Sequence, residues 1–246
     1  MNAACAGCKT VERRLGRTDL HRPCAAGNRR AVDVAGNYHE NGYAHVRGLI
    51  PADVAQAFLK GLKQDLGEGA IPLSRVQDHP NLLRRPAFEL YGHHYKPMLF
   101  FLYGLTPIIG EIVGLELLPT YDYLRIYREG DVCHVHSDRY SCEHSLSLTL
   151  DYSDGEPWEL QVERARTDPS AKVAESFGPA DYASIAMEVG DGVLYQGVNH
   201  RHGRVKPNPN GWSAHLFLHW VDRNGSHREH AFDGRPLGPK VNFSFS

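Results

Sequence analysis

The hydrophobic repeat of this chain changes period once, and that change limits the folds open to it. Val54, Phe58, Leu59, Leu62 and Leu66 recur at helical spacing, so one face of a helix is buried there. Pro51 and Asp53 open that helix, because Pro fits a first turn and a carboxylate suits the positive end of the dipole. Gly67-Glu68-Gly69 ends it. A second helical region spans about 96–113, with Pro107 expected to break or restart it. From Leu118 onward the period is two. Tyr121, Tyr123, Arg125 and Tyr127 alternate with Asp122, Leu124 and Ile126, and Ser145, Ser147 and Thr149 alternate with Leu146, Leu148 and Leu150. Further short strands are expected at 186–189, 193–196 and 214–221, with Gly- and Pro-containing turns between them. The expected fold is mainly β with α: a jelly-roll or sandwich whose N-terminal helices pack on the larger sheet.

The 246 residues suffice for a single large domain. Residues 1–36 read as a tail or irregular arm and 37–246 as the domain, with 164–179 as a polar loop or lid. A net charge of −2 without a basic stripe argues against nucleic acid as a partner. No apolar run approaches the roughly 20 residues of a membrane span, and the first residues lack a secretory apolar core. The expectation is a soluble, cytoplasmic protein with no membrane partner. The five cysteines, Cys5, Cys8, Cys24, Cys133 and Cys142, make an odd count that argues against a disulfide framework. Cys5-Ala6-Gly7-Cys8 is a lone CxxC in a Gly/Ala-rich terminus and carries little redox signal.

Parity places the chemistry. Leu124 and Ile126 should face the helices, so Tyr123, Arg125, Tyr127, Ser145, Ser147 and Thr149 should face a cavity. His136-Ser137-Asp138 falls at the rim between their two strands. A His and an Asp two residues apart point the same way from an extended strand. With one downstream histidine they form two imidazoles and a carboxylate, a set that holds non-heme Fe(II) on one face and leaves positions open. His200 and His202 share parity, so geometry does not choose between them. A structural zinc site among Cys133, His134, His136, Asp138, Cys142 and His144 competes, but Cys133 and Cys142 are not closely paired and Asp138 is a hard oxygen ligand.

The run Leu115 to Asp131, followed by His136-Ser137-Asp138-Arg139 and Cys142 to Leu148, resembles bacterial iron(II)/2-oxoglutarate-dependent oxygenases, nearest the prolyl-4-hydroxylase-like branch. Gly190 to Gly197, His202-Gly203-Arg204 and Phe217-Leu218-His219-Trp220 extend the likeness, which covers about 38–222. The resemblance implies a double-stranded β-helix, Fe(II) held by His136, Asp138 and His202, and 2-oxoglutarate as co-substrate. It implies hydroxylation of a C–H bond with O₂, giving succinate and CO₂. In that alignment His200 lies outside the triad and lines the cavity.

Many members carry an Arg or Lys about ten residues after the second histidine, to pair with the distal carboxylate of 2-oxoglutarate. Trp212 stands there in this chain. Arg204, which shares parity with His202, is the favoured substitute and Arg125 the second, since a guanidinium meets a carboxylate in a bidentate fork. Tyr123, Tyr127 and Ser147 are expected beside the co-substrate. Arg139, Thr149, His200, Trp212 and His215 are expected at the substrate or as outer support. The substrate is expected to be a small polar molecule or a peptide side chain. The alternatives are an iron oxygenase that does not use 2-oxoglutarate and a non-catalytic metal-containing jelly-roll that binds ligands.

Overall fold

A computed structural model describes residues 32–67, 76–77 and 81–234. The arm up to residue 31, with Cys5, Cys8 and Cys24, and residues 235–246 lie outside the described residues.

Two antiparallel sheets face each other. The larger has the strand order β1 (Asp33–Ala35), β2 (Tyr43–Arg47), β10 (Gly192–Tyr195), β7 (His144–Tyr152), β12 (Trp212–Asp222), β5 (Leu117–Arg128), β4 (Ala87–Tyr91) and β3 (Val76–Gln77). The smaller has β6 (Cys133–His136), β11 (His202–Arg204), β8 (Leu160–Glu163) and β9 (Tyr182–Ile185). This is the expected jelly-roll, a double-stranded β-helix. The large sheet begins at Asp33, inside the segment read from sequence as an arm, because Asp33–Ala35 pairs with β2.

The helices are α1 (Tyr38–Asn41), α2 (Ala52–Gly67) and α3 (Pro97–Val113). Ala55, Leu59 and Leu62 of α2 and Met98, Leu102, Leu105, Ile109 and Val113 of α3 are buried against Leu124, Leu146, Leu148, Leu216 and Leu218 of the large sheet. The residues between those leucines point instead into the space between the sheets, where Tyr127, Trp158 and Phe217 cluster.

Three local expectations are revised. Pro107 does not break α3, which runs unbroken from Pro97 to Val113. Leu105 and Ile109 stay buried on either side of it. Thr106 Oγ1 donates to Leu102 O at 2.7 Å and accepts Trp220 Nε1–H at 2.8 Å, pinning this turn to β12. Packing therefore outweighs a lost bond worth about 3 kcal/mol. The strand expected at 186–189 lies earlier, at Tyr182–Ile185. Residues 188–191 form a turn instead, because the Asp191 carboxylate accepts from Glu188 N and Gly48 N and meets His45 Nε2 at 2.9 Å. The polar segment 164–179 is irregular, but Ala174 exchanges two backbone hydrogen bonds with Val135 and so covers the outer edge of β6. Among the described residues no helix is long and apolar enough to cross a membrane.

Asp122 breaks the apolar row on the helix side of β5. It is buried, neither carboxylate oxygen has a hydrogen-bond partner, and burial pushes its pKa up to about 7. The folded chain keeps a proton that the unfolded chain releases between about pH 4 and 7, so stability falls across that window and is level above it. Relative to Asp122→Asn, the wild type should lose up to about 4 kcal/mol between pH 4 and pH 8. Denaturant unfolding of both proteins at the two pH values measures it, and parallel pH profiles would contradict it.

Candidate metal centre

β11 pairs antiparallel with β6, and the register sets His202 opposite His136. Opposed residues share a face, here the one toward the large sheet, with ring centroids 4.4 Å apart. His136 Nδ1 lies 2.8 Å from the His134 carbonyl oxygen and His202 Nδ1 3.0 Å from that of His200. A carbonyl only accepts, so each Nδ1 carries a proton and each Nε2 is the nitrogen left facing Asp138.

Asp138 follows just past the end of β6, its N–H donating to Gly197 O at 2.9 Å. A glycine is required there, since a Cβ at 197 would stand 2.3 Å from Asp138 Oδ2. Asp138 Oδ1 faces His136 Nε2 at 3.6 Å and His202 Nε2 at 3.5 Å. These separations are too long for good hydrogen bonds, and the three ligand atoms all lie within 4.8 Å of one another. Ser145 Oγ donates to Asp138 Oδ2 at 3.2 Å and is backed by His219 Nδ1 at 2.9 Å.

The residues fit a divalent first-row ion. Two nitrogens and one oxygen converge from one side, at a spacing close to that of ligands bonded at about 2.0–2.2 Å. Both imidazoles are oriented by carbonyls behind them and the carboxylate by a hydroxyl, the outer support such ligands need. Burial would raise the Asp138 carboxyl, but the facing imidazoles of His202 and His136 hold it well below the usual range. Burial, with His202 adding to it, lowers His136. An anionic Asp138 and a neutral His136 are the forms that bind metal.

Asp138 also comes within reach of Cys142 and His219. The Cys142 thiol is buried 3.1 Å from Tyr121 OH, and burial raises its pKa. It is a protonated thiol, not a thiolate ligand. Cys133 is likewise buried and raised, in the cavity wall, so the cysteines give no support to a zinc site.

The centre opens into a narrow cavity, with about 20 Å³ open to water-sized molecules, that Tyr123, Arg125, Tyr127, Cys133, Tyr195 and Arg204 also line. Its two arginines differ in one respect. Arg125 is ion-paired with Glu89, to which its Nε donates at 2.6 Å, and its Nη1 donates to Tyr127 OH at 2.8 Å. Arg204 is just as buried but has no acidic partner among the described residues. Its Nη1 donates to Trp158 O at 2.7 Å, while Nη2 reaches Ser147 Oγ and His215 Nδ1, each at 3.3 Å. Its Nε has no partner. Burial, together with Arg204 and Arg125, pushes His215 well down, so it stands neutral beside the guanidinium.

Of the residues expected at the site, His136, Asp138, His202, Arg204, Arg125, Tyr123 and Tyr127 share this cavity. Ser147 supports Arg204, and Thr149 reaches His215 Nδ1 at 3.4 Å. Three expected residues lie elsewhere. His200 does not line the cavity; its Nδ1 meets Glu163 O, and its ring packs on Gly42, where a Cβ would come within 2.1 Å. Trp212 lies on the helix side of β12 under Lys63, because the residues of that strand facing the other sheet are Ser213, His215, Phe217 and His219. Arg139 lies over the Tyr121 ring at 4.3 Å and meets Asp233 at 3.3 Å. Glu89, Trp158 and Tyr195 escaped the sequence reading. Parity places Ser145 inward, and His219 shares the parity of His215, a signal that could have found it.

No family model matches the chain, and no curated protein matches it. Solved structures do. The non-heme alpha ketoglutarate dependent carbocyclase SnoK from nogalamycin biosynthesis is 10% identical, over 83% of this chain and 92% of its own, with a TM-score of 0.60. The epimerase SnoN from the same biosynthesis is 12% identical, over 76% and 78%, with a TM-score of 0.59. A Pseudomonas putida prolyl-4-hydroxylase is 16% identical, over 77% and 96%, with a TM-score of 0.51. The likeness is one of fold.

The geometry sets an expectation for metal binding. His136→Ala and Asp138→Ala should each lose stoichiometric Fe(II) while keeping the far-UV circular dichroism of the wild type. Gly197→Ala should weaken Fe(II) binding at least tenfold without altering a ligand, because its methyl group displaces Asp138. Metal analysis after anaerobic loading reads all three, and wild-type loading of either ligand variant would remove the site.

Proposed function

We propose that this chain is a non-heme Fe(II)/2-oxoglutarate-dependent oxygenase that hydroxylates a C–H bond of a small polar molecule or a peptide side chain. One observation carries the reading. A two-histidine, one-carboxylate cluster opens into the same cavity as a buried guanidinium that has no acidic partner among the described residues. An uncompensated buried charge is costly, and a ligand carboxylate relieves that cost. The structural neighbours described as alpha ketoglutarate dependent support the same direction.

His136, Asp138 and His202 would hold the ion through Nε2, Oδ1 and Nε2. A ferrous ion bound there supplies the redox chemistry by which O₂ and 2-oxoglutarate become succinate and CO₂ while one oxygen atom enters the substrate C–H bond as a hydroxyl. The chain's own residues place the reactants. Arg204 accepts the distal carboxylate, with Ser147 and neutral His215 holding its Nη2. Arg125, locked by Glu89 and Tyr127, shapes the wall without competing for that charge. Tyr195, Leu160 and Phe217 line the rest and keep water out.

Under this proposal Arg204→Gln should raise the KM for 2-oxoglutarate roughly 10- to 100-fold, the loss of a hydrogen-bonded charge, and leave iron stoichiometry unchanged. Succinate formation under O₂, measured against 2-oxoglutarate concentration, tests this. Iron-loaded wild type that forms no succinate, and whose visible spectrum does not change when 2-oxoglutarate is added anaerobically, would refute the co-substrate.

A further inference from the structure

A second cavity lies on the other side of β5, between that strand and the start of α3. About 140 Å³ of it is open to water-sized molecules. Asp122 lines it with Thr120, His93, Tyr103, Phe232 and Asp233, and Leu99 and Leu102 supply apolar wall. None of these residues is a ligand of the metal centre, and the proposed oxygenation uses none of them.

Three features mark this cavity as built for a ligand. The first is Asp122 itself. It is 1% exposed, and among the described residues neither carboxylate oxygen has a hydrogen-bond partner. Buried carboxylates are normally paired, because an unmatched one is among the costliest groups a fold can hold. The second is the fit of the backbone around it. Gly92 N donates to Asp122 O at 3.1 Å, and a Cβ at position 92 would stand 1.8 Å from Asp122 Oδ1. The strand thus accepts a glycine where the carboxylate needs room. The third is the covering segment. Phe232 and Asp233 both adopt left-handed backbone, with φ of 55° and 62°. Bulky non-glycine residues rarely take that conformation, and two in succession indicate strain held by the surroundings. Asp233 is anchored there by Arg139 at 3.3 Å.

We propose that this cavity binds a small organic ammonium, with Asp122 as its counter-ion and the aromatic rings of Phe232 and Tyr103 around its apolar body. The chemistry of the walls selects that class. Asp122 is the one buried carboxylate in the wall, and with Asp233 tied to Arg139 the lining offers few oxygen ligands, which suits a monocation better than a hard divalent metal. Phe232 and Tyr103, each about half exposed, line the cavity, and aromatic rings attract ammonium groups. The raised pKa of Asp122 agrees, since the group is neutral or ionised near neutrality according to whether a cation faces it.

Isothermal titration of the full-length protein with benzylamine at pH 8 tests the proposal, with benzyl alcohol as the uncharged isostere. One equivalent of benzylamine should bind, and benzyl alcohol should bind at least tenfold more weakly. Asp122→Asn, checked for its fold by circular dichroism and its unfolding midpoint, should lose at least tenfold in benzylamine affinity. Asp233→Asn, which leaves the buried carboxylate in place, should keep more of the affinity than Asp122→Asn does. His136→Ala should bind benzylamine as the wild type does, which separates this cavity from the metal centre. No binding to the wild type, equal binding to Asp122→Asn, or loss of binding in His136→Ala would each overturn the assignment.

Discussion

The antiparallel register of β11 on β6 is the constraint on which the rest of the centre depends. β11 has three residues, yet its alternation sends His202 and Arg204 to one face, so the strand supplies both a metal ligand and the unpaired guanidinium. A slip of one residue would turn both outward. Close contact on either side prevents it. His202 stands opposite His136 on β6 and Val162 on β8. Between the two functional residues sits Gly203, where a Cβ would come 2.8 Å from Cys133 O, so only the smallest side chain lets the strands meet. The imidazoles are then oriented by backbone carbonyls two residues earlier in the chain, local contacts that need no further side chain.

Much of this was legible because sheet parity is local. Inward Tyr123, Arg125 and Tyr127 and inward Ser147 and Thr149 could be read from the apolar residues between them, and the structure puts them on the cavity side. What parity could not supply was the partner of each group. Glu89 lies on β4, a short strand whose sequence Ala87-Phe88-Glu89-Leu90-Tyr91 carries little alternation, yet it decides that Arg125 is already neutralised. Trp212 was misplaced for a related reason. A count of residues from His202 says nothing about the face on which a position lands, and the even positions of β12 face the helices. The strand expected at 186–189 failed because apolar content was read without Asp191, whose carboxylate gathers the backbone into a turn.

The two arginines show how charge balance sharpens a site that sequence leaves ambiguous. Both are buried in one cavity wall, and either could meet a carboxylate by residue type alone. Arg125 has its anion within the protein. Arg204 is surrounded by a carbonyl, a hydroxyl and a neutral imidazole, all of which accept hydrogen bonds and none of which carries charge. Uncharged acceptors orient a guanidinium while leaving its field available to an incoming anion, whereas a carboxylate at the same place would cancel it. That difference makes Arg204 the stronger anchor.

β5 carries this logic to both of its faces. Tyr123, Arg125 and Tyr127 look toward the metal, while Asp122, between two of the inward tyrosines, looks toward α3. An unmatched cationic group on the smaller sheet and an unmatched anionic group on the larger one therefore lie on opposite sides of a single strand. They are separated by backbone hydrogen bonds to β4 and β12 that hold the strand's register. Tyr121 is the nearest physical link between the two sides. It lines the Asp122 cavity, stacks on His219 behind the Asp138 support, and lies under Arg139, which is tied to Asp233 at the mouth. Movement of the 232–233 segment would shift Arg139 directly, and Arg139 follows Asp138 in the chain. Arg139 is thus the residue that joins the mouth of the Asp122 cavity to the segment carrying Asp138.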